Sequence, residues 1–193
     1  MAFDAPLLQR VKQCEICKDV LPHAPRPVLQ FHPDAKILIA GQAPGRKVHE
    51  TGIPFNDASG DRLRDWMGIS REVFYDETAI AILPMGFCYP GKGKNGDLPP
   101  RPECAPAWRE QLLSQMTKLE LTLVVGRYAH DYHFGNDGLS LTDRIKNWQA
   151  YWPDKIPLPH PSPRNNLWLT QNPWFEQEVL PELKARIHAL LTR

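Results

Sequence analysis

The sequence predicts an α/β protein, a three-layer α/β/α sandwich around a central four-stranded parallel sheet. Three observations carry this. Four short apolar runs, at 37–40, 79–83, 121–125 and 156–158, have the length and continuity of strands buried on both faces. Between them lie stretches whose apolar residues recur at helical spacing, and strands alternating with helices build parallel sheets covered on both sides. The length, 193 residues, suits a single domain over 1–193, long enough to bury one core without cross-links and too short for two such sheets.

The first strand, Ile37-Leu38-Ile39-Ala40, runs into a glycine-bearing loop. Ser59 then offers an N-cap for a helix over 61–67, with Leu63, Trp66 and Met67 on its apolar face. After the second strand, a helix over 106–119 carries Trp108, Leu112, Leu113 and Met116 on one side. The third strand leads directly into a helix over 126–134, and another is expected over 141–152. The fourth strand precedes a last helix over 175–191, apolar at Val179, Leu183, Ile187, Leu190 and Leu191, with Pro181 disturbing its first turns. The twenty prolines concentrate in 21–33, 84–106 and 153–163, read as ordered loops that do not join a sheet interior. The six tryptophans fall mainly on helix faces, where they pack.

Hydrophobic residues at 42% and charged residues at 23% describe a soluble globular chain, and no apolar run approaches the ~18 residues of a membrane span. No membrane partner is expected. The first ten residues lack a basic and then apolar leader pattern, so the expected compartment is the reducing cytoplasm and the expected state a monomer. The net charge of +1 excludes nothing, because a nucleic-acid protein needs only a local positive surface. Local charge does gather near loops: Arg46 and Lys47 after the first strand, Lys92, Lys94 and Arg101 in a Gly/Pro-rich segment, and Arg164 after the fourth strand.

Four cysteines stand in an order suited to a four-thiolate site. Cys14 and Cys17 form a C-x2-C pair, and Cys88 and Cys104 bracket a proline-rich loop. Ligands from separate loops can surround a compact centre, and the residues alone admit either zinc or a [4Fe–4S] cluster.

Two further runs sit at strand exits, where α/β proteins place their chemistry: Gly41-Gln42-Ala43-Pro44-Gly45 and His160-Pro161-Ser162-Pro163-Arg164-Asn165. The first offers backbone N–H groups and close approach at small residues. In the second, a neutral His160 with one N–H suffices to donate to a developing oxyanion, held by prolines with little freedom to lose. Together the two runs resemble the signature motifs of the uracil-DNA glycosylase superfamily, and the order and spacing of the cysteines resemble its iron–sulfur branches over nearly the whole chain. The resemblance implies a [4Fe–4S] cluster on Cys14, Cys17, Cys88 and Cys104, with zinc as the alternative, in a structural role near the DNA-binding face. It implies that His160 stabilises the anionic oxygen of the leaving base and that Gln42 stands beside the flipped base. Phe55 matches the aromatic that stacks under that base, and Asp57 matches a carboxylate of a related iron–sulfur branch, placed to orient water or balance the positive sugar. Gly41, Ala43, Pro44, Gly45 and Asn56 join the expected base and sugar site. Arg46, Lys47, Ser162, Pro163, Arg164 and Asn165 form the expected DNA contacts, and His49 and Glu50 are reserve candidates for activating water.

Two positions depart from the pattern. Ala43 stands where the best-known branch has its catalytic Asp, a departure shared with the iron–sulfur branch that leaves the water-activating group open. Pro84 stands where the iron–sulfur relatives carry an Asn that reads uracil, so Asn56 or Asn95 substitutes for it or the preferred base differs. The expected activity is therefore hydrolytic release of uracil or another deaminated base from DNA in base excision repair, with no motif lysine to form a Schiff base. Two other readings use the same residues. One is a non-catalytic damage-sensing module with this fold and cluster. The other is a zinc-bearing nucleoside or nucleotide hydrolase, disfavoured because four thiolates leave zinc no open position for water.

Overall fold

The computed structural model describes residues 5–193. In chain order the elements are α1 (Ala5–Lys12), β1 (Ile37–Ala40), α2 (Arg46–Thr51), α3 (Ala58–Met67), α4 (Arg71–Phe74), β2 (Ile80–Ile82), β3 (Lys92–Gly93), β4 (Gly96–Asp97), α5 (Glu110–Leu113), β5 (Leu121–Val125), α6 (Arg127–Phe134), α7 (Leu141–Lys146), β6 (Lys155–Leu158), α8 (Asn166–Gln171) and α9 (Leu180–Leu191). Strands β2, β1, β5 and β6 lie side by side in that order, all parallel, with Leu38 opposite Ala81 on one side and Thr122 on the other. This is the α/β sandwich with a four-stranded parallel sheet that the apolar runs predict.

The strands are buried on both faces because alternate side chains enter different layers. Ile37, Ile39, Leu121 and Leu123 pack with Trp66 and Met67 of α3 and Leu183 and Ile187 of α9. Leu38, Ala81 and Leu83 face the other way, against Leu7 and Val11 of α1, Leu112 and Met116. Each such side chain contributes roughly 1.5–3 kcal/mol by leaving water, so Leu38→Ala is expected to cost about 2–5 kcal/mol. The edges are managed locally. Pro157 is tolerated in β6 because that strand pairs on one side only. The outer edge of β2 is closed by Gln30, which exchanges backbone hydrogen bonds with Ile82 and donates its side-chain amide to the carbonyls of Phe74 and Ile80.

Several helix boundaries differ from the sequence expectation. Asp57, not Ser59, caps α3: its Oδ1 accepts from the Gly60 N–H at 2.9 Å, so the helix begins at Ala58. The expected helix over 106–119 is a wide π-type turn, Ala105–Arg109, followed by α5 and ending at Ser114. The last helix likewise starts as a π-type segment, Phe175–Val179, which lets Pro181 fall in the first turn of α9, where its missing N–H costs nothing. The helix expected over 141–152 is α7 plus a separate 3-10 turn, Trp148–Ala150. The proline-rich 84–106 stretch contains the β3–β4 hairpin as well as loop. Among the described residues no helix is long and apolar enough to cross a membrane.

The order β2-β1-β5-β6 sets the site. The chain leaves β1 toward one edge and later returns to build the other, so the loops after β1 and β5 diverge and open a crevice above their carboxyl ends.

Candidate functional site

A cavity of about 410 Å3 occupies that crevice. All five residues of Gly41–Gly45 line it, together with Phe55, Asp57, His160, Ser162, Arg164 and Asn165. The two motif loops, far apart in the chain, thus form opposite parts of one wall.

The first loop is held by its own backbone. The carbonyls of Gly41 and Gln42 accept from the N–H groups of Met85 and Gly86, both at 2.9 Å, continuing the β1–β2 pairing past the strand ends. The Gln42 side chain lies over the bare Cα of Gly126, where any Cβ would meet its amide nitrogen at 2.4 Å. Gly126 also has φ +80, so both space and conformation call for glycine there.

The second loop fixes the state of its histidine. The Ser162 N–H donates to His160 Nδ1 at 3.2 Å, so the neutral ring carries its proton on Nε2. Burial holds the His160 pKa below the usual histidine range, partly opposed by the negative charge of Asp57. The ring is therefore a neutral Nε2–H donor at physiological pH. Around it, Asn165 Nδ2 donates to the His160 carbonyl at 2.7 Å and the Arg164 N–H donates to Ser162 Oγ at 3.2 Å. Arg62 of α3 reaches across to the Ser162 carbonyl and to Asn166 Oδ1.

Phe55 has φ +53, a left-handed conformation that costs a non-glycine residue about 1–3 kcal/mol. Its neighbours impose it. Gly60 packs so closely that a Cβ there would stand 1.7 Å from the Phe55 carbonyl oxygen, and buried Arg64 donates to that oxygen at 3.3 Å. The ring is thereby turned over Gly41, 3.4 Å from where a Cβ would stand, with Phe74 edge-on behind it at 6.1 Å. Asp57, two residues on, presents to the cavity a carboxylate of which one oxygen is committed to the α3 cap.

Other expected residues lie outside the cavity. Asn56 is turned to the outer side, its Oδ1 accepting from Arg71 at 2.8 Å. Arg46 and Lys47 are exposed on α2, with Arg46 paired to Glu50 at 2.8 Å, and Pro163 is exposed at the start of a 3-10 turn. His49 and Glu50 do not line the cavity, and their carbonyls accept from Arg26. The structure adds residues that the sequence reading does not name. Asp97 and Leu98 of the hairpin segment and Tyr128 of α6 line the mouth, and Asp97 Oδ1 accepts from Tyr89 at 3.4 Å. Arg164 donates to the Asn95 carbonyl at 2.8 Å, fastening the hairpin to the second motif. Only a basic, glycine-bearing turn in the sequence hints at that hairpin.

The four cysteines line one small cavity of about 20 Å3, walled otherwise by residues such as Ile16, Pro25, Pro27 and Phe87. Trp108 Nε1 donates to Cys14 Sγ at 3.2 Å and the Phe87 N–H donates to Cys104 Sγ at 3.3 Å. Burial pushes the Cys104 thiol up to about 12 and Cys88 up to about 11. A cationic centre would lower these pKa values and hold the four sulfurs as thiolates, and the N–H donors and the mainly apolar lining, with Arg101 the one charged residue, suit it. The site fits such a group in ligand type and number, although among the described residues no three acidic, His or Cys side chains are gathered closely enough to hold a single metal ion.

The chain is thus a parallel α/β protein with a cavity at the reversal point of its sheet, lined by a histidine and an aromatic ring. A family model described as the Uracil DNA glycosylase superfamily matches residues 29–184, well over half of the chain. The chain belongs to that superfamily. The matched region contains both motif loops, Phe55, Asp57, Cys88 and Cys104, while Cys14 and Cys17 precede it.

Proposed function

We propose that the protein is a monofunctional DNA glycosylase that takes uracil or another deaminated base out of the DNA stack and hydrolyses its bond to deoxyribose, in base excision repair. The observation that carries this is the convergence of His160, locked as an Nε2–H donor, and the constrained Phe55 ring on one cavity at the strand ends. Phe55 supplies the stacking face and Gly41–Gly45 a small-residue wall for base and sugar. When the C1′–N bond breaks, its electron pair stays on the base and C1′ becomes electron-poor. His160 Nε2–H donates to the oxygen where that negative charge gathers, and Gln42 stands beside the same base. Asp57 faces the positive sugar with its remaining carboxylate capacity and orients a water whose oxygen bonds to C1′, the released proton ending on the base. Among the described residues no lysine lines the cavity, which favours water over an amine as nucleophile. Exposed Arg46 and Lys47, together with the Ser162–Asn165 loop, meet the DNA backbone, Arg164 using the donors not given to Asn95.

In this reading Cys14, Cys17, Cys88 and Cys104 hold a [4Fe–4S] cluster that supplies no step of the hydrolysis and ties the N-terminal segment to the loop behind Met85 and Gly86. Four thiols on one small cavity, in an order and spacing that resemble the iron–sulfur branches, support the cluster over zinc. The deciding experiment is a panel of oligonucleotides, each with one damaged base, incubated with protein and then alkali. Strand scission at uracil or another deaminated base is expected. DNA binding with no scission anywhere on the panel leaves only the damage-sensing module. Iron and sulfide analysis of anaerobically purified protein tests the cluster, and colourless protein with stoichiometric zinc overturns it.

A further inference from the structure

Arg109 is fully buried, and the steps above make no use of it. It ends the π-type turn after Cys104 and points at the carboxyl end of β2, where it donates to the carbonyls of Leu83, at 2.5 Å, and Pro84, at 3.2 Å. Its other terminal nitrogen meets His133 Nε2 at 2.8 Å, its guanidinium lies 5.1 Å from the Tyr132 ring centroid, and its Nε has no partner. None of these neighbours is a carboxylate. Burial lowers its pKa only to about 10, so the charge persists at neutral pH. The groups that oppose this lowering are Tyr132 and Cys104, neither of them a carboxylate, so the cation is costly to bury, and a neutral side chain would satisfy two carbonyls at lower cost. The far side of the Leu83–Pro84 segment explains its position: Pro84 lines the base cavity.

We propose that Arg109 is a positioning residue for base release, which sets the Pro84 wall and places a buried positive charge behind it, favouring the anionic leaving base. The inference rests on the glycosylase reading. As the C1′–N bond breaks and its electron pair passes to the base, negative charge develops in a cavity screened by protein, where a fixed cation one residue away acts more strongly than in water. His160 contributes a hydrogen bond to one oxygen. Arg109 contributes a field through the wall, without touching the substrate.

The test compares two leaving groups. Single-turnover rates are measured on single strands containing one deoxyuridine or one 5-fluorodeoxyuridine, whose base leaves more readily as an anion. Arg109→Met removes the charge, and Arg109→Lys keeps it. With Arg109→Met, release of uracil is expected to slow at least about ten-fold and release of 5-fluorouracil by about two- to three-fold, while Arg109→Lys stays within about three-fold of wild type on both. Arg109→Gln, uncharged but able to donate to Leu83 and Pro84, carries the same comparison if Arg109→Met does not fold. Equal losses on the two strands, or a lysine variant as slow as the methionine one, overturn the electrostatic role and leave the glycosylase reading intact. A wild-type protein that releases neither base overturns both.

Discussion

His160 works through one proton, and its neighbours decide where that proton sits. The Ser162 N–H occupies Nδ1, and burial keeps the ring neutral; in the proposed mechanism His160→Ala removes a donor whose full value is reached only as the base becomes anionic. We expect base release to slow by ~10²–10³ with little change in DNA affinity, measured by single-turnover kinetics beside equilibrium binding. Wild-type rates in this variant would exclude the mechanism. Asp57 caps α3 and, in the proposed mechanism, also faces the sugar, and a single substitution separates the two. Asparagine still caps α3 through its side-chain oxygen, so Asp57→Asn should leave thermal stability nearly unchanged and lower the rate. Unchanged rates would move the water-orienting role to another group. At Gly60, a methyl group would collide with the Phe55 carbonyl, so Gly60→Ala is expected to destabilise the fold by about 1–3 kcal/mol and to turn Phe55 out of the cavity. Urea denaturation measures the first effect, and a stability equal to wild type would show that Phe55 is not held this way.

At the scale of elements, α6 ties the sheet to the site. His130 Nε2 lies 3.1 Å from the Val124 carbonyl and 3.0 Å from that of Leu158, clamping the ends of β5 and β6 just before the second motif, and His133 meets Arg109. Burial lowers the pKa of His130 to about 4 and of His133 to about 3. In the unfolded chain both rings take up a proton near the ordinary histidine value, about 6.5. Between that value and about pH 4 the unfolded state binds more protons, so stability is full above pH 6.5 and declines as pH falls, by up to about 1.4 kcal/mol per pH unit for each ring. Urea denaturation at steps from pH 7.5 to 4.5 checks this, and a constant midpoint would mean that both rings take up their protons in the fold as readily as in the unfolded chain. The β3–β4 hairpin belongs to this scale too: two-residue strands have little stability of their own, and the Arg164–Asn95 bond holds the turn beside the second motif.

For the whole molecule, a net charge of +1 predicts no strong attraction to DNA, yet Arg46, Lys47, Lys94 and Arg164 are exposed near the cavity-forming loops. If these four meet phosphates, affinity for a short duplex should fall about 10²-fold between 50 and 200 mM salt. A flat salt response would place the DNA elsewhere on the surface. Visible colour that bleaches on oxidation or chelation is the matching expectation for the four cysteines, and Cys88→Ser should harm folding more than chemistry.

The sequence by itself determined what depends on neighbours along the chain. Uninterrupted apolar runs named four strands with two buried faces, because only a strand covered on both sides keeps every residue out of water. Glycine and proline marked the loops at the strand exits, and the order of His160, Phe55, Asp57 and the cysteines carried the likeness to a family. Local signals were weaker where two similar residues compete: Ser59 and Asp57 are both good caps, and the choice fell to Asp57 because Gly60 presents its N–H there. Only the tertiary structure decided what depends on distance through space. Strand order brought Gly41–Gly45 to His160, and the folding of the loops brought Cys14 and Cys17 to Cys88 and Cys104. It put Asp97 and Tyr128 at the cavity mouth and Arg109 behind Pro84, and it turned Asn56 away. Periodicity and turn chemistry report which face of an element is buried, whereas the partner it is buried against, and the proton or charge found there, follow from the packing of the whole chain.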